Sequence, residues 1–551
     1  MAGQNDEEAC STKGIDALQR ENRELRTELD RVNNSLRMRA ASIFAENLSS
    51  PLTTLTIPAK LIRLLRDVRV VKQWRKVVLG LECGLPDDPL RLLTPERQEL
   101  AELKSVASSI LNGRAPPAVT SAQPSRAVQA ALVRSDELEE IVRSGADWEL
   151  PKAEVVNPVS PKRVVMPLHA CEQDIVNGYT RRSHELIQAL QQTGWDISGA
   201  VRGERSTDVA STARQYERVG TVPSDQQTHQ DYVSRYAERL YQHFIKTRPA
   251  IVHAASNHVT GLAASIAAKR ANLPLIYEIR GLWEETRRSV EPSYLNSLGY
   301  CAQQQLEIET AKRADHLLVN GRPLAELFSQ RGIAEDKITV VPNGCASELN
   351  LEKERQKALQ NHLSLSGEPV IGFVGSLTSY EGLELVFEAL SGLRTLPFQL
   401  LIVGDGPARM PLQDKARALR LSDKIHWMGR VSPSEATAAY GLIDIAPFVR
   451  SDTPVTRLTP PLKPLDAMLS NTAMLLSDLP PLAEFAEDGR ALLVPPGDVS
   501  TIRKALKLLI TDADAREAMA EKAKQWVLKN RQWTTIAKTI DGAYKTVLAQ
   551  R

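Results

Sequence analysis

From Arg163 onward, short apolar runs rich in β-branched residues alternate with stretches of helical periodicity. The first runs are RVVMPL, AIVHAAS, PLIYEIRG, HLLVNG and ITVVPNG. A second set follows Glu368 and comprises PVIGFVGS, QLLIVGDGP, KIHWMGR, DIAPFV, AMLLSD and ALLVPPGD. Repeated strand–helix alternation predicts parallel sheets covered by helices on both faces. Because there are two sets, we predict an α/β protein of two doubly wound halves, residues 162–366 and 367–530, facing a cleft.

The pattern before Arg163 is helical and polar, and its first part is a short heptad run. Apolar residues and one asparagine recur at alternating steps of four and three: Leu18, Asn22, Leu25, Leu29, Val32 and Leu36. This spacing predicts a short coiled coil within a polar segment, residues 1–50. A polar Asn22 at a core position would favour one register and a homodimer through residues 18–36. A single amphipathic helix packed on its own chain is the alternative.

The next segment, residues 51–161, is predicted to be a helical extension with linkers at 114–127 and 149–163. Residues 60–78 carry seven cations against one acid, Asp67, with the apolar residues on one face of the predicted helix. A basic amphipathic helix can lie on an anionic membrane surface, so we predict contact with a membrane surface through residues 60–78. Otherwise the helix covers a core face and keeps its basic side in solvent.

Composition narrows the class of protein. The 551 residues predict two or three domains, and 42% apolar with 25% charged residues is usual for a soluble globular protein. A net charge of +2 gives no overall attraction to nucleic acid, and no nucleic-acid partner is predicted. The five cysteines are scattered without CxxC spacing, which favours a reduced, cytoplasmic protein over a disulfide or zinc framework. There is no signal-peptide core and no membrane-spanning run, so membrane contact would be peripheral, at the inner face.

Candidate chemistry lies where the second set of strands ends. Gly375 follows one predicted strand, and Gly404 with Gly406 follows the next, which lets a ligand approach the backbone closely. A tight turn from strand to helix would need glycine too. The stretch from Val449 to Leu476 adds clustered cations and a carboxylate.

This cationic stretch suits an anionic nucleotide. Arg450, Arg457 and Lys463 could meet a diphosphate, since anion sites are often built from fixed cations and a helix N-terminus. Asp466 could accept hydrogen bonds from a ribose. The alternative is that the cations are ordinary solvated surface charges.

Taken together, several motifs resemble the family 4 retaining glycosyltransferases of the GT-B fold, over about Arg163 to Leu548. They are VVPNG (340–344), GFVGSLTSYEGL (372–383), LLIVGDGP (400–407), IHWMGR (425–430), PLKPLDAM (461–468) and LLVPPGD (492–498). The resemblance is to a subgroup associated with bacterial surface polysaccharides. It implies two Rossmann-like domains, with acceptor bound by the first and donor by the second, and a C-terminal helix (531–551) crossing back to the first. It also implies a nucleotide-diphosphate sugar as donor, a glycan or lipid-linked acceptor, and no metal or cofactor.

The resemblance carries further candidate residues over. In the first half, Gly178 and Arg182 would face the donor phosphates. The family often has a histidine just after the strand in IVHAAS, where this chain has Ala255; His258 lies one helical turn on and could orient the sugar or be a structural histidine. Arg280 stands where a histidine is common in the next strand, and His258 and Arg280 are the catalytic candidates. Glu278 and Glu284 would bind acceptor or form structural ion pairs. In the second half the candidate donor residues are Gly375, Ser376, Gly404, Gly406 and Arg430, together with the cations and carboxylate identified above from the residues themselves, Arg450, Arg457, Lys463 and Asp466.

The donor loop departs from the family pattern at several positions. Ser376 stands where the family has an arginine, Glu381 where it has a lysine, and Leu458 where it has the first of two glutamates. Pro460 and Pro461 lack the backbone N–H that could hold a phosphate. Our hypothesis is that Arg450, Arg457 and Lys463 replace the missing cations.

Three functions fit these features. The first is a glycosyltransferase of polysaccharide biosynthesis. The second is a catalytically degenerate GT-B scaffold in a polysaccharide assembly complex, which the departures at Ser376, Glu381 and Leu458 favour. The third, with less support, is a nucleotide-sugar epimerase on the same fold. Slow release of nucleotide diphosphate without acceptor would separate the enzyme from the scaffold.

Overall fold

The structure, a computed structural model, describes residues 73–79, 81, 99–111, 125–148, 155–203, 215–220, 228–347, 353–365 and 367–551. The predicted coiled coil at 18–36 lies outside the described residues, and so does most of the basic segment 60–78. Residues 73–79 form a helix in which Trp74 and Val77 are buried.

The described strands form two sheets in which every pairing between named strands is parallel. The first sheet contains β1 (Arg163–Leu168), β2 (Asp196–Val201), β3 (Tyr216–Arg218), β4 (Ile251–Ala255), β5 (Leu275–Ile279), β6 (His316–Val319) and β7 (Ile338–Val340). The second contains β8 (Val370–Val374), β9 (Gln399–Val403), β10 (Ile425–Gly429), β11 (Ile445–Phe448), β12 (Ala473–Ser477) and β13 (Leu492–Val494). Their orders are β3-β2-β1-β4-β5-β6-β7 and β10-β9-β8-β11-β12-β13.

Helices cover both sheets. Before and within the first half they are α1 (Leu100–Leu111), α2 (Arg126–Ser144), α3 (Gly178–Gln192), α4 (His229–Thr247), α5 (His258–Ala271), α6 (Trp283–Val290), α7 (Leu298–Arg313) and α8 (Arg322–Gln330). The rest are α9 (Lys353–His362), α10 (Leu383–Ser391), α11 (Arg409–Ala418), α12 (Pro433–Tyr440), α13 (Pro454–Leu458), α14 (Lys463–Leu469), α15 (Pro480–Ala486), α16 (Val499–Thr511), α17 (Ala513–Asn530) and α18 (Trp533–Ala549). Short 3-10 helices span Pro292–Asn296, Glu335–Lys337, Ser379–Glu381, Ser422–Lys424 and Glu487–Gly489.

The prediction of two doubly wound halves is confirmed. Every predicted apolar run forms a strand, and β4, β5, β8 and β12 are buried along their whole length because helices lie on both faces. The sequence pattern missed β2 and β3. The polar and small residues of DISGAV interrupt an apolar run, and β3 has only three residues. Gly199 makes room for its neighbour, since a Cβ there would lie 2.6 Å from Cδ1 of Tyr216.

The last helix, α18, lies on the first half of the molecule. The indole Nε1 of Trp195 donates to Oδ1 of Asp541 at 2.9 Å, and the hydroxyl of Tyr544 lies 2.7 Å from Nδ1 of His253. Trp533 and Tyr544 are buried in the same apolar cluster as β1. The chain therefore ends by packing on the sheet with which the first half begins.

The described part of the N-terminal extension is helical and joins the core of the first half. Leu138 of α2 is buried in that core. The carboxylate of Glu137 accepts the backbone N–H groups of His229 and Gln230 at 2.7 and 2.8 Å, and so caps the start of α4. Among the described helices, none has both the length and the apolar character needed to cross a bilayer.

Candidate active site between the two sheets

The loop after β11, residues 449–462, lies against the first half of the molecule. The side-chain amide of Asn343 donates to the carbonyl of Pro460 at 2.9 Å. The backbone N–H of Val455 donates to Oγ of Ser289 at 3.4 Å. The cationic stretch identified in the sequence therefore forms part of the boundary between the two sheets, at their carboxyl ends.

A buried carboxylate between two arginines, which we call the first triad, closes the end of β5. One carboxylate oxygen of Glu278 accepts a hydrogen bond from Nη2 of Arg182 at 2.7 Å, and the other accepts one from Nη2 of Arg280 at 2.6 Å. Arg280 also donates to Oγ of Ser183 at 2.6 Å. Glu278 is fully buried, and the two arginines are 2% and 7% exposed. The roles predicted for Arg182 in donor binding, Arg280 in catalysis and Glu278 in acceptor binding stay predictions.

The first triad carries an excess positive charge. Burial raises the pKa of Glu278, but Arg280 and Arg182 outweigh burial and hold that pKa well below its usual range. Burial lowers the pKa of His253, whose Nε2 lies 3.5 Å from Glu278, so this imidazole is neutral at pH 7. Two cations thus share one carboxylate.

A matching cluster, the second triad, lies at the ends of β8 and β11. Nζ of Lys463 donates to Oε1 of Glu381 at 2.6 Å, and Nε of Arg450 lies 3.9 Å from Oε2. Burial raises the pKa of Glu381, but Lys463 and Arg450 outweigh it and lower that pKa. Glu381, which replaces a lysine of the family pattern, therefore has its charge compensated by a lysine from another segment. Again two cations share one carboxylate.

The two triads are joined by hydrogen bonds across the boundary. Nη1 of Arg182 donates to Oδ1 of Asn343 at 3.0 Å, and the amide of Asn343 reaches the carbonyl of Pro460. The adjacent carbonyl, of Thr459, accepts from Nη1 of Arg450 at 3.2 Å. Although Pro460 has no N–H to offer a phosphate, its carbonyl links the halves.

A separate ion pair spans the boundary directly. Arg181 of α3 binds Asp466 of α14 through both carboxylate oxygens, at 2.7 and 2.8 Å. Asp466 raises the pKa of Arg181 further, so the guanidinium remains charged. Asp466 was predicted to bind a ribose, whereas Arg181 was not predicted because its neighbour Arg182 was preferred. Adjacent helical residues point in different directions, and the predicted helix did not specify which arginine would face the second half.

The glycine turns of the second half lie side by side. Gly375 and Gly404 have φ angles of +149° and +127°. A Cβ atom on Gly404 would lie 1.9 Å from the carbonyl oxygen of Gly375, and one on Gly375 would lie 2.3 Å from Cε of Lys463. A Cβ on Gly406 would likewise lie 2.3 Å from the carbonyl oxygen of Leu377. Packing within the protein therefore requires glycine at these turns, against backbone atoms at Gly404 and Gly406 and against the Lys463 side chain at Gly375.

The remaining predicted donor residues lie on the surface. Gly178, Ser376 and Arg430 are exposed. Arg457 is 56% exposed, and its Nη2 pairs with Oδ2 of Asp452 at 2.6 Å. A solvated pair of this kind contributes little to stability.

His258 lies in a buried cluster at the start of α5. Its backbone N–H donates to Oε2 of Glu307 at 2.9 Å, and its Nε2 lies 3.4 Å from Nε2 of His229. The hydroxyl of Tyr277 donates to the other oxygen of Glu307 at 2.5 Å. The ring of His258 is fully enclosed by protein. A role in orienting the sugar, and so in catalysis, stays a prediction.

Glu284, a predicted acceptor residue, lies fully buried at the start of α6. Neither of its carboxylate oxygens has a hydrogen-bond partner among the described residues. Burial raises the pKa of this carboxyl to about 8, and the nearby charge of Glu307 adds to the effect. The Glu284 carboxyl is therefore mainly protonated at pH 7.

Replacing Glu284 by glutamine is expected to stabilise the protein. A pKa raised above its unfolded value means that the folded state binds the proton more tightly, so stability is lost as the pH rises from about 4.5 to about 8. At pH 7, keeping the Glu284 carboxyl protonated lowers the free energy of unfolding by about 3 kcal/mol. In thermal unfolding, the melting temperature of Glu284→Gln should exceed that of the wild type, and the difference should be larger at pH 8 than at pH 5. Exposed Glu326→Gln is the control, and a gain independent of pH would contradict the protonated state.

His169, the residue directly after β1, was not among the site residues predicted from the sequence. Its ring centroid lies 3.8 Å from that of Tyr179 and 5.4 Å from that of Trp283. Nδ1 lies 3.4 Å from the carbonyl oxygen of Ser256. The position directly after a strand, at the carboxyl edge of the sheet, is the signal that could have identified it.

Family models match both halves of the chain. One described as Glycosyl transferase 4-like domain matches residues 177–344, and one described as Glycosyl transferases group 1 matches residues 354–526. An uncharacterized glycosyltransferase of Methanocaldococcus jannaschii is 26% identical over 229 residues, 40% of this chain and 57% of that protein. The lipopolysaccharide 1,2-N-acetylglucosaminetransferase of Salmonella typhimurium is 22% identical over 326 residues, 57% of this chain and 82% of that protein. The chain spans about half the length of the first curated relatives it matches.

Solved structures share the fold. The crystal structure of Anabaena Alr3699/HepE in complex with UDP covers 70% of this chain and 100% of that chain, with a TM-score of 0.55 and 16% identity. This similarity establishes the GT-B architecture of two Rossmann-like halves.

Proposed function

We propose that the chain transfers a sugar from a nucleotide-diphosphate sugar to a hydroxyl acceptor, because two glycosyltransferase family models match its two halves and solved structures share its GT-B fold. The acceptor is a glycan or a lipid-linked sugar of polysaccharide biosynthesis, and the reaction retains the anomeric configuration. One observation carries the proposal: two triads, one at the end of each sheet, each keep one uncompensated positive charge.

The charge of the triads matches that of the leaving group. The diphosphate of a nucleotide sugar is a diester with about two negative charges at neutral pH, and further charge develops as the bond to the sugar breaks. Fixed cations held by buried carboxylates need no reorganisation when that charge appears. Arginine and lysine would therefore take the place of a metal, and the proposed reaction is metal-independent.

The remaining steps are those that the resemblance to retaining glycosyltransferases implies. The acceptor hydroxyl attacks the anomeric carbon on the face from which the diphosphate leaves, and its proton passes to a departing phosphate oxygen. Asp466 would accept hydrogen bonds from the ribose once Arg181 releases it. The UDP in the Anabaena structure supports a nucleotide donor, and the Salmonella relative's name supports a surface-polysaccharide acceptor.

A panel of nucleoside diphosphates and their sugars tests the donor site. A nucleotide present at about 100 times its dissociation constant should stabilise the fold by about 2.7 kcal/mol, measured as a thermal shift. Lys463→Ala should abolish that shift, because it removes a cation of the second triad. Arg417→Ala, a surface cation with 71% side-chain exposure, should preserve it. No shift with any nucleotide would refute the donor site.

A non-catalytic scaffold is the second candidate, favoured by a specific observation. Asp466 is already occupied by Arg181, and Glu381 neutralises one of the two cations beside it. Incubation with the stabilising nucleotide sugar separates the two functions. An enzyme should release nucleoside diphosphate slowly by hydrolysis, whereas a scaffold should bind the donor without cleaving it.

A further inference from the structure

Three aromatic side chains form a shelf at the carboxyl edge of the first sheet. His169 follows β1, Tyr179 lies in the first turn of α3, and Trp283 begins α6. The Tyr179 ring lies over Arg280 at 4.6 Å, which fixes it beside the first triad. Trp283 is 37% exposed, a large aromatic surface left open to solvent beside the imidazole. None of these three residues has a role in the function proposed above.

The hydrogen bonds of His169 determine which ring nitrogen is available. A carbonyl oxygen can only accept, so Nδ1 of His169 carries the proton that it donates to Ser256. Nε2 is then an unprotonated acceptor, and no described residue donates to it. Burial lowers the pKa of this imidazole to about 3, with Arg202 and Arg280 adding to the effect, so the ring is neutral across the physiological range.

Tyr179 complements this acceptor with a donor. Its hydroxyl oxygen accepts the backbone N–H of His169 at 3.4 Å, which leaves the phenolic proton free. The shelf thus presents one hydrogen-bond acceptor, one donor and a partly exposed indole. A sugar ring has the matching chemistry, since it offers hydroxyl groups around its edge and an apolar C–H face that can cover an aromatic surface.

The geometry points to an acceptor subsite in which a pyranose ring packs on Trp283 and donates one hydroxyl to Nε2 of His169. This assignment rests on the proposed function and gives its acceptor sugar a binding place, whether a soluble glycan or a lipid-linked sugar carries the hydroxyl. His169 is a binding residue here, and it orients the acceptor hydroxyl rather than removing its proton.

Two substitutions at His169 test the contributions of its two ring nitrogens separately. In His169→Asn the amide can replace Nδ1 as the donor to Ser256 but offers nothing at the position of Nε2. In His169→Gln the side-chain oxygen can reach that position. Binding of methyl glycosides of glucose, galactose, mannose and N-acetylglucosamine is measured by saturation-transfer NMR at millimolar concentrations.

At least one glycoside is expected to bind the wild-type protein. His169→Asn should weaken that binding about five- to tenfold, the value of one neutral hydrogen bond, while His169→Gln should restore most of it. Trp283→Ala should weaken it about tenfold through loss of ring packing, and Trp283→Phe should recover part. Unchanged binding in both His169→Asn and Trp283→Ala, or no binding of any glycoside, would overturn the subsite.

Nucleotide thermal shifts on the same variants distinguish this inference from the proposed function. All four variants should keep the wild-type response to nucleotide. A normal nucleotide response with no glycoside binding refutes the subsite alone, whereas glycoside binding without any nucleotide response contradicts the transferase and leaves the sugar site in place.

The alkyl chain of the probe identifies the source of the acceptor. The segment between His169 and Tyr179 exposes Ile175 and Val176, by 50% and 62%. If the acceptor is lipid-linked, octyl glycosides should bind more tightly than their methyl counterparts, and Ile175→Ser should remove the difference. Equal binding of octyl and methyl forms assigns the subsite to soluble glycans.

Discussion

Replacing Glu278 by glutamine is expected to destabilise the protein by about 3–5 kcal/mol, the usual effect of removing one partner from a buried ion pair. The substitution would leave Arg182 and Arg280 facing each other without a counter-charge in a site almost closed to water. The free energy of unfolding is measured by urea denaturation at pH 7. Glu326→Gln, on an exposed part of α8, is the matched control and should change it little.

The pH dependence gives this prediction a second test. The pKa of Glu278 is below its unfolded value, so the stability it contributes is present above about pH 4.5 and is lost as the pH falls. The difference in the free energy of unfolding between the wild type and Glu278→Gln should therefore become smaller at acid pH. A loss below about 1 kcal/mol at pH 7 would show that other groups compensate the two arginines.

Nucleotide affinity is expected to change in opposite directions when either partner of the Arg181–Asp466 ion pair is removed. Asp466→Ala should weaken binding about 10- to 100-fold, because hydrogen bonds from the ribose to a charged acceptor are lost. Arg181→Ala should tighten binding, because the carboxylate no longer has to exchange a bidentate partner for the ribose. Isothermal titration calorimetry with the nucleotide selected by the thermal-shift panel measures both effects.

Arg181→Lys serves as the matched control for this pair. Lysine keeps the charge but cannot engage both carboxylate oxygens as a planar fork, so its affinity should lie between those of wild type and Arg181→Ala. If Arg181→Ala instead weakens nucleotide binding as strongly as Asp466→Ala, Arg181 contacts the nucleotide itself. That result would contradict the competition between ribose and arginine.

The pattern of apolar residues predicted the architecture well because it reflects local requirements. A strand buried on both faces must be apolar along its length, and β8 and β12 meet that condition without reference to any distant residue. The glycine turns could equally be predicted from the sequence, because the positive φ of Gly404 at the turn after β9 is a local requirement that favours glycine. The short edge strand β3 was not predicted, because its three partly exposed residues form no apolar run.

The candidate site could be predicted only in part because its charges come from distant segments. Lys463 was predicted to replace a missing cation, but its partner Glu381 lies 82 residues away. Arg182 and Glu278 are separated by 96 residues, and Arg181 and Asp466 by 285. Side chains of the right type were found, while their pairing was not.

The sequence by itself determined that there are two parallel sheets, which strands along the chain belong to each half, and where loops leave the carboxyl ends of strands. Only the tertiary structure decided which cations remain uncompensated, because charge balance depends on which carboxylate each arginine or lysine meets. It also decided that His169 is neutral and has an acceptor nitrogen to offer. Burial and the Ser256 carbonyl produce that state, and neither can be read from the residues around it in the chain.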